Sequence, residues 1–405
     1  MKRIVLKCGR LFCGVDETVQ ENMAVTVEDN RIVGVAPWKD GCAPADGEVV
    51  DLSDKFVTPG LIDAHVHVNM NGEPNTDNLA KLTTGEFALV SMVNAQSDLM
   101  AGFTAIRDEG AVGFSDVALR DAINRGMVAG PRMFVSGMAI SSTGGHGDSS
   151  FGPGVTGGAM ASIVNSPDEA RRAARYTFKY GADQIKIMAT GGVMSFGDEP
   201  GAPELSLEEM KAALDIANSR GRISSAHAHG AEGIKNAIWA GITSIEHGML
   251  IDDEGMELMK NHGTYLIPTI IAAYQIVEFG KTGALAPWMV KKADLCLQNH
   301  GEHLKKMISM GINIGFGTDS GTCFNRHGEQ ALEFELMTRC GFTPIQTLLA
   351  ATKVNSRLLK WDDRIGSIEE GKLADIAAFD GDPLKDITAM TRCAFVMKDG
   401  VVYKH

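Results

Sequence analysis

The chain has 405 residues, enough to bury a large core and to build one large domain plus a small one, and it carries 51 acidic against 38 basic side chains, a formal charge of −13. That balance gives no electrostatic footprint for phosphate backbones or anionic membranes, so neither nucleic acid nor a membrane is expected as a partner. The seven cysteines, Cys8, Cys13, Cys42, Cys296, Cys323, Cys340 and Cys393, show no CxxC spacing; with no signal h-region and no run of 18 apolar residues, they read as reduced thiols of a cytoplasmic protein.

The first 55 or so residues alternate apolar with polar in short runs punctuated by Gly, Asp and Asn, the pattern of a small antiparallel β unit. The last 35 or so return to that style after a long middle of different rhythm. The expectation is a small β domain from residues 1–57 and 360–405, wrapped around a larger domain at 58–359.

In the middle, short apolar or β-branched runs alternate with stretches of helical period, which argues for repeated βα units. "GLIDAHVHV", "FTAIRDEG", "RMFVSGMAI", "DQIKIMATGG", "RISSAHAHG", "ITSIEHG", "TYLIPTI" and "INIGFGTDSG" are eight candidate strands. Between the fifth and sixth, Ile234, Ala237, Ile238 and Ala240 mark one face of a helix that Gly241 ends. Eight strands over about 300 residues fit a (β/α)8 barrel of the TIM type, and no GxGxxG turn favours an open dinucleotide-binding sheet. The fold class expected is therefore α/β, a (β/α)8 barrel with a small β-sandwich domain.

In such a barrel the active face lies at the C-terminal ends of the strands. His65 and His67 end the first, Arg107 and Asp108 the second, and His146 follows the third in "SSTGGHGD". Lys186 lies on the fourth, His227 and His229 on the fifth, Glu246 and His247 on the sixth, and Asp319 on the eighth. Residues at i and i+2 on a strand face the same side, so His65 and His67 can reach one metal ion. Imidazoles and carboxylates suit zinc or a similar first-row ion, and such an ion makes hydroxide available near neutrality. Asp319 is placed both to ligate it and to pass a proton to a leaving amine.

These residues resemble the amidohydrolase superfamily: "DAHVHV" after "TPGLI", "AHAHG", "SIEHG" and "GTDSG" match its strand-end motifs in order, and "GKLADIAAFDGDP" matches its flanking β domain. "STGGHGD", "IKIMATGGVMS", "SAHAHGAEGI" and "FNRHGEQALEFELM" look like the imidazolonepropionase-related branch of Xaa-Pro dipeptidases and arginine or lysine carboxypeptidases. The resemblance implies two divalent ions, zinc by preference, bridged by a carbamate formed from CO2 on Lys186. It implies His65, His67, Lys186 and Asp319 around one ion, and Lys186, His227 and His247 around the other. His229 shares the face of His227, so position alone leaves that ligand open; the family pattern favours His227.

His146 and His229 are then candidates for binding the substrate α-carboxylate. His327 is expected to order the loop after the eighth strand, and Asp108 and Glu246 to support the ligands from behind. His262, His300, His303 and His405 read as solvated, "MISM" and "MELM" as core helix, and Trp288 as either a pocket wall or part of a surface hairpin. The function implied is cleavage of the C-terminal amide of dipeptides or N-acyl amino acids by a homo-oligomer acting on a small substrate with a free carboxylate. Cyclic-amide opening or heterocycle deamination at the same site is the alternative, and a non-catalytic metal-binding barrel the more remote one.

Overall fold

The structure, a computed structural model, describes residues 3–39, 48–148 and 160–405. Strand β1 (Arg3–Phe12) pairs antiparallel with β2 (Val19–Glu28), which pairs antiparallel with β3 (Arg31–Pro37); β4 (Glu48–Pro59) runs parallel to β1 on its other side. Alternation sets the faces: Ile4, Leu6, Cys8, Val25 and Val27 enter one core of the small sheet. Phe12 and Phe56, nearer the strand ends, pack into the large core instead and join the two layers.

The barrel begins with β5 (Leu61–Val66), β6 (Phe103–Asp108) and β7 (Arg132–Val135), all parallel. It continues through β8 (Ala139–Ser142), its neighbour β9 (Ala161–Val164), then β10 (Ile185–Met188), β11 (Ser224–Gly230), β12 (Ser244–Leu250) and β13 (Tyr265–Ile267), again parallel. "RMFVSGMAI", read as one strand, is two: Gly137 at φ +63° breaks it between β7 and β8. The helix Ala231–Trp239 buries Ile234, Ala237 and Ile238, and Gly241 beyond it sits at φ +92°.

The eighth stave is extended chain rather than a full ladder strand. Parallel bridges Leu266–Ile314 and Val66–Ser320 join residues 312–320 to both neighbours and close the barrel. The reason is crowding: a Cβ at Gly317 would lie 2.3 Å from Ile267 Cγ2, and one at Gly315 would lie 2.3 Å from Asn355 Oδ1. Asn355 substitutes for ladder bonds by donating to Ile62 O and Phe316 O at 2.7 Å each.

β14 (Ile376–Asp380) returns antiparallel to β4, followed by β15 (Cys393–Lys398) and β16 (Val401–Lys404), which completes the seven-stranded outer sheet. Among the described residues the cysteines are free and no helix is long and apolar enough to cross a membrane; Cys42 lies outside them.

Candidate metal centre

Three ligand atoms converge at the mouth of the barrel. His65 Nε2 and His67 Nε2 each lie 3.3 Å from Asp319 Oδ1, and all three side chains are within reach of one ion. β5 carries His65 at its C-terminal end and His67 one residue beyond it, and the eighth stave delivers Asp319, whose backbone N–H donates to His65 O at 2.7 Å. Asp319 itself sits at φ +60°.

The other histidines gather around this group. The His247 ring centroid is 5.0 Å from that of His65 and 4.8 Å from that of His227. His229 stacks on His247 at 5.0 Å, and His146 on His227 at 4.2 Å. Lys186 reaches up between them from β10, 2 % exposed, and its Nζ meets Glu109 Oε2 at 3.1 Å.

The rear nitrogens of four rings are anchored. His65 Nδ1 is 2.8 Å from Glu246 Oε2, His67 Nδ1 3.1 Å from Gly110 O, His247 Nδ1 2.6 Å from Thr269 Oγ1, and His227 Nε2 3.2 Å from Gly191 O. Such outer bonds fix ring tautomer and aim the opposite nitrogen. His229 differs, because its Nδ1 is buried without a partner.

Electrostatics favour neutral imidazoles over most of the cluster. Burial, with the neighbouring histidines and Lys186, holds His227 and His247 well below the ordinary histidine value; burial takes His146 down to about 4 and His229 to about 3. His65 goes the other way: burial and Lys186 pull it down, but Asp319 and Glu246 prevail and raise it to about 9. Asp319 is pushed far below the usual carboxylate range against its burial by His65 and His67. Two imidazoles sharing an ionised carboxylate, with His227 and His247 neutral beside them, are the donor chemistry of a first-row divalent ion, which would take the place of the proton that Asp319 and Glu246 hold on His65, so the residues present fit one.

Beneath the ligands lies a buried ion network. Arg107 pairs with Glu246 at 2.8 Å and with Glu109 at 2.8 Å, while Ser225 donates to Glu109 and Ser244 to Glu246. Burial alone would raise the Glu109 carboxyl, but Arg107 and Lys186 hold it well below its usual range. Asp108 accepts from Val68 N at 2.8 Å and Gly110 N at 3.0 Å, shaping the chain after β5 and β6. His327 contacts Asp98 and, through Nε2, His67 O at 3.1 Å, away from the cavity lining.

The sequence reading missed Glu109, although "RDEG" displays it beside Asp108 and a buried lysine demands a carboxylate partner. It also missed the methionines of the cavity wall. A cavity of about 760 Å3 opens over the cluster, and Met70, Met160, Met188, Met194, Met249 and Met289 line it, with Trp288 and Leu285. Trp288 is thus a pocket wall. Met256, Met259 and Met307 do enter the core, as their helical spacing suggested. His300, expected at the surface, is 1 % exposed, because it starts the helix His300–Met310 on its packed side; neither ring nitrogen has a partner.

Comparison with known proteins finds the family model described as the amidohydrolase family matching residues 56–403. The ochratoxinase of Aspergillus niger is 33% identical over 440 residues, covering 100% of this chain and 87% of that protein. The crystal structure of an Xaa-Pro dipeptidase with methionine bound in its active site superposes with a TM-score of 0.93 at 35% identity, over 100% of both chains. A prolidase complexed with N-methylphosphonate-L-proline gives 0.91 at 30% identity, again over 100% of both.

Proposed function

The chain belongs to the amidohydrolase family and is a hydrolase of amide or peptide bonds, and from that premise we propose a binuclear metal enzyme that releases the C-terminal amino acid of dipeptides or N-acyl amino acids. The observation that carries the reading is the convergence of His65, His67 and Asp319, with His227, His247 and Lys186 beside them. His65, His67, Lys186 and Asp319 would hold one ion, and Lys186, His227 and His247 the other.

The choice of His227 over His229 rests on the anchoring pattern. Every other ligand imidazole has its rear nitrogen engaged, and so does His227, through Gly191 O; His229 has none. An ammonium among cation ligands is repulsive, so Lys186 serves as a bridge only once a carbamate gives it a negative oxygen pair. When bound, divalent ions in this donor set, zinc by preference, supply Lewis acidity and a lowered water pKa.

The chain's own groups do the rest. Asp319, ionised and 13 % exposed at its side chain, takes the proton of the attacking water and returns it to the departing amine. His229, lining the cavity and neutral, offers a ring N–H donor to the substrate α-carboxylate; His146, whose Nδ1–H goes to Ser195 Oγ because the Ser195 proton is donated to Asp198, offers its Nε2 as a donor once the carboxylate draws a proton onto the ring. The dipeptidase with methionine in its active site supports a free amino acid as the product. A cytoplasmic homo-oligomer, with the small domain at 1–57 and 360–405, belongs to the same reading.

The test is a mass-spectrometric hydrolysis screen of metal-loaded protein prepared with bicarbonate, against dipeptides, N-acyl amino acids and small cyclic amides. Release of C-terminal amino acids is the expected outcome. Ring opening or ammonia release alone would move the reaction to the cyclic-amide or deaminase alternative.

A further inference from the structure

Resting on that amide-hydrolase reading, a second region of the cavity points to the substrate class. Away from the imidazoles the described lining is mostly apolar, with Met188, Met194, Met249, Ile276, Leu285 and Met289 among it. Besides Asp319, the one lining carboxylate among the described residues is Asp148, and its Oδ2 already accepts the Gly144 N–H at 2.9 Å. The lining lysine, Lys186, is engaged by Glu109. Among the described residues an acidic side chain finds no free lysine or arginine on these walls, and a basic one finds only Asp148, one of whose oxygens is already engaged.

At the rim of the same cavity Phe196 is 85 % exposed, the most exposed large apolar side chain among the described residues. Its ring meets Trp288 edge-on, with centroids 5.7 Å apart and planes at 70°. The loop that displays it is held in place. Lys292, 9 % exposed, donates to Gly192 O at 3.2 Å, to Ser195 O at 2.9 Å and to Asp198 O, pairs with Asp198 Oδ1 at 3.0 Å, and lies 5.4 Å over the Trp288 ring. Ser195 Oγ in turn contacts His146 Nδ1 at 2.7 Å. One buried cation therefore ties the Phe196 loop, Trp288 and the cavity histidine together.

An aromatic side chain left in water on an anchored loop, beside a second aromatic and above a methionine-lined chamber, is a surface prepared for an apolar partner. We propose that Phe196 and Trp288 form the binding site for a bulky apolar or aromatic group of the substrate, with Lys292 as the positioning residue of that site. The substrates are then N-acyl or N-aminoacyl amino acids with a large apolar group, rather than those ending in arginine, lysine or an acid. The pliable methionines accommodate different shapes of such a group. The apolar group sits on the leaving amino acid or on the acyl side, and two substrate series separate these sources.

The experiment measures kcat/KM of the metal-loaded protein on N-acetyl derivatives of Phe, Leu, Gly, Arg and Glu, and on acetyl against benzoyl glycine. Bulky apolar groups in at least one series should exceed Gly, Arg and Glu by about tenfold or more, and Phe196→Ala and Trp288→Ala should each shrink that ratio about fivefold. Lys292→Met should raise KM for the bulky substrate more than it lowers kcat, and Lys292→Arg should restore part of it. A flat profile in both series, a preference for Arg or Glu, or an unchanged ratio in Phe196→Ala, an exposed position that folding does not need, would overturn the proposal. Absence of all turnover would overturn the C-terminal-amide reading proposed above instead. N-acetyl-L-phenylalanine binding, read by fluorescence of wild type against Trp288→Phe, then judges the chamber: a signal confined to wild type supports it, and none sinks it.

Discussion

His247, Thr269 and Asp319 stand at φ +70°, +44° and +60°, a region that costs non-glycine residues about 1–3 kcal/mol each and is worst for a β-branched threonine. All three sit at the cluster, and Thr269 Oγ1 is the anchor of His247 Nδ1. The strain therefore aims the ring. Thr269→Gly should leave the stability of the metal-free protein within about 1 kcal/mol of wild type, because strain relief offsets lost packing and the glycine's extra chain entropy. The same change should weaken metal binding about tenfold or more, measured by chelator competition, since the ring loses its outer bond. Lys186→Ala should lose most bound metal, and a full complement in that variant would refute its bridging role. Asp319→Asn keeps side-chain volume but removes the proton acceptor, so turnover should fall by about 10²-fold or more with the fold retained on circular dichroism.

At the scale of elements, legibility followed periodicity. The i, i+2 histidines at the end of β5 and within β11 and the helix Ala231–Trp239 have local patterns that a single chain displays, with His67 falling one residue past its strand. The eighth stave does not behave as a ladder strand, because Gly315 and Gly317 serve close approach rather than strand pairing, and its partner Asn355 lies 39 residues from Phe316. The chamber was illegible for the same reason: its methionines come from different strands, loops and a helix, and no sequence period links Met70 to Met289. The stave gives the element-scale prediction. Asn355→Ala removes donors to Ile62 O and Phe316 O and the acceptor of Phe316 N–H at 3.2 Å, all buried. It should cost about 2–4 kcal/mol in urea unfolding. A loss below about 0.5 kcal/mol would mean the barrel closes without that side chain.

Across the whole molecule, buried ionisable groups fall into two opposed sets. Burial raises Asp63 to about 7 and Asp116 and Glu204 to about 8, so these carboxyls stabilise most at low pH and lose that contribution as pH climbs from about 4 through their folded values. The histidines that burial lowers act in reverse, unlike His65. His300, lowered to about 3 by burial and by His303, is neutral when folded, whereas an unfolded histidine titrates near 6.5. Between about pH 3 and 6.5 the unfolded chain binds the extra proton, so this contribution is complete above about 6.5 and is lost as pH falls. With both ring nitrogens unpartnered, His300 has no hydrogen bond to compensate. His300→Leu isolates the effect. Whatever its offset at pH 7, the variant should gain on wild type by about 1–3 kcal/mol on going to pH 4, measured by denaturant unfolding with chelator present so that metal release does not contribute. An offset that is the same at both pH values would mean that His300 is already protonated in the folded protein, or solvated, and that the acid limb belongs to the histidines of the metal cluster.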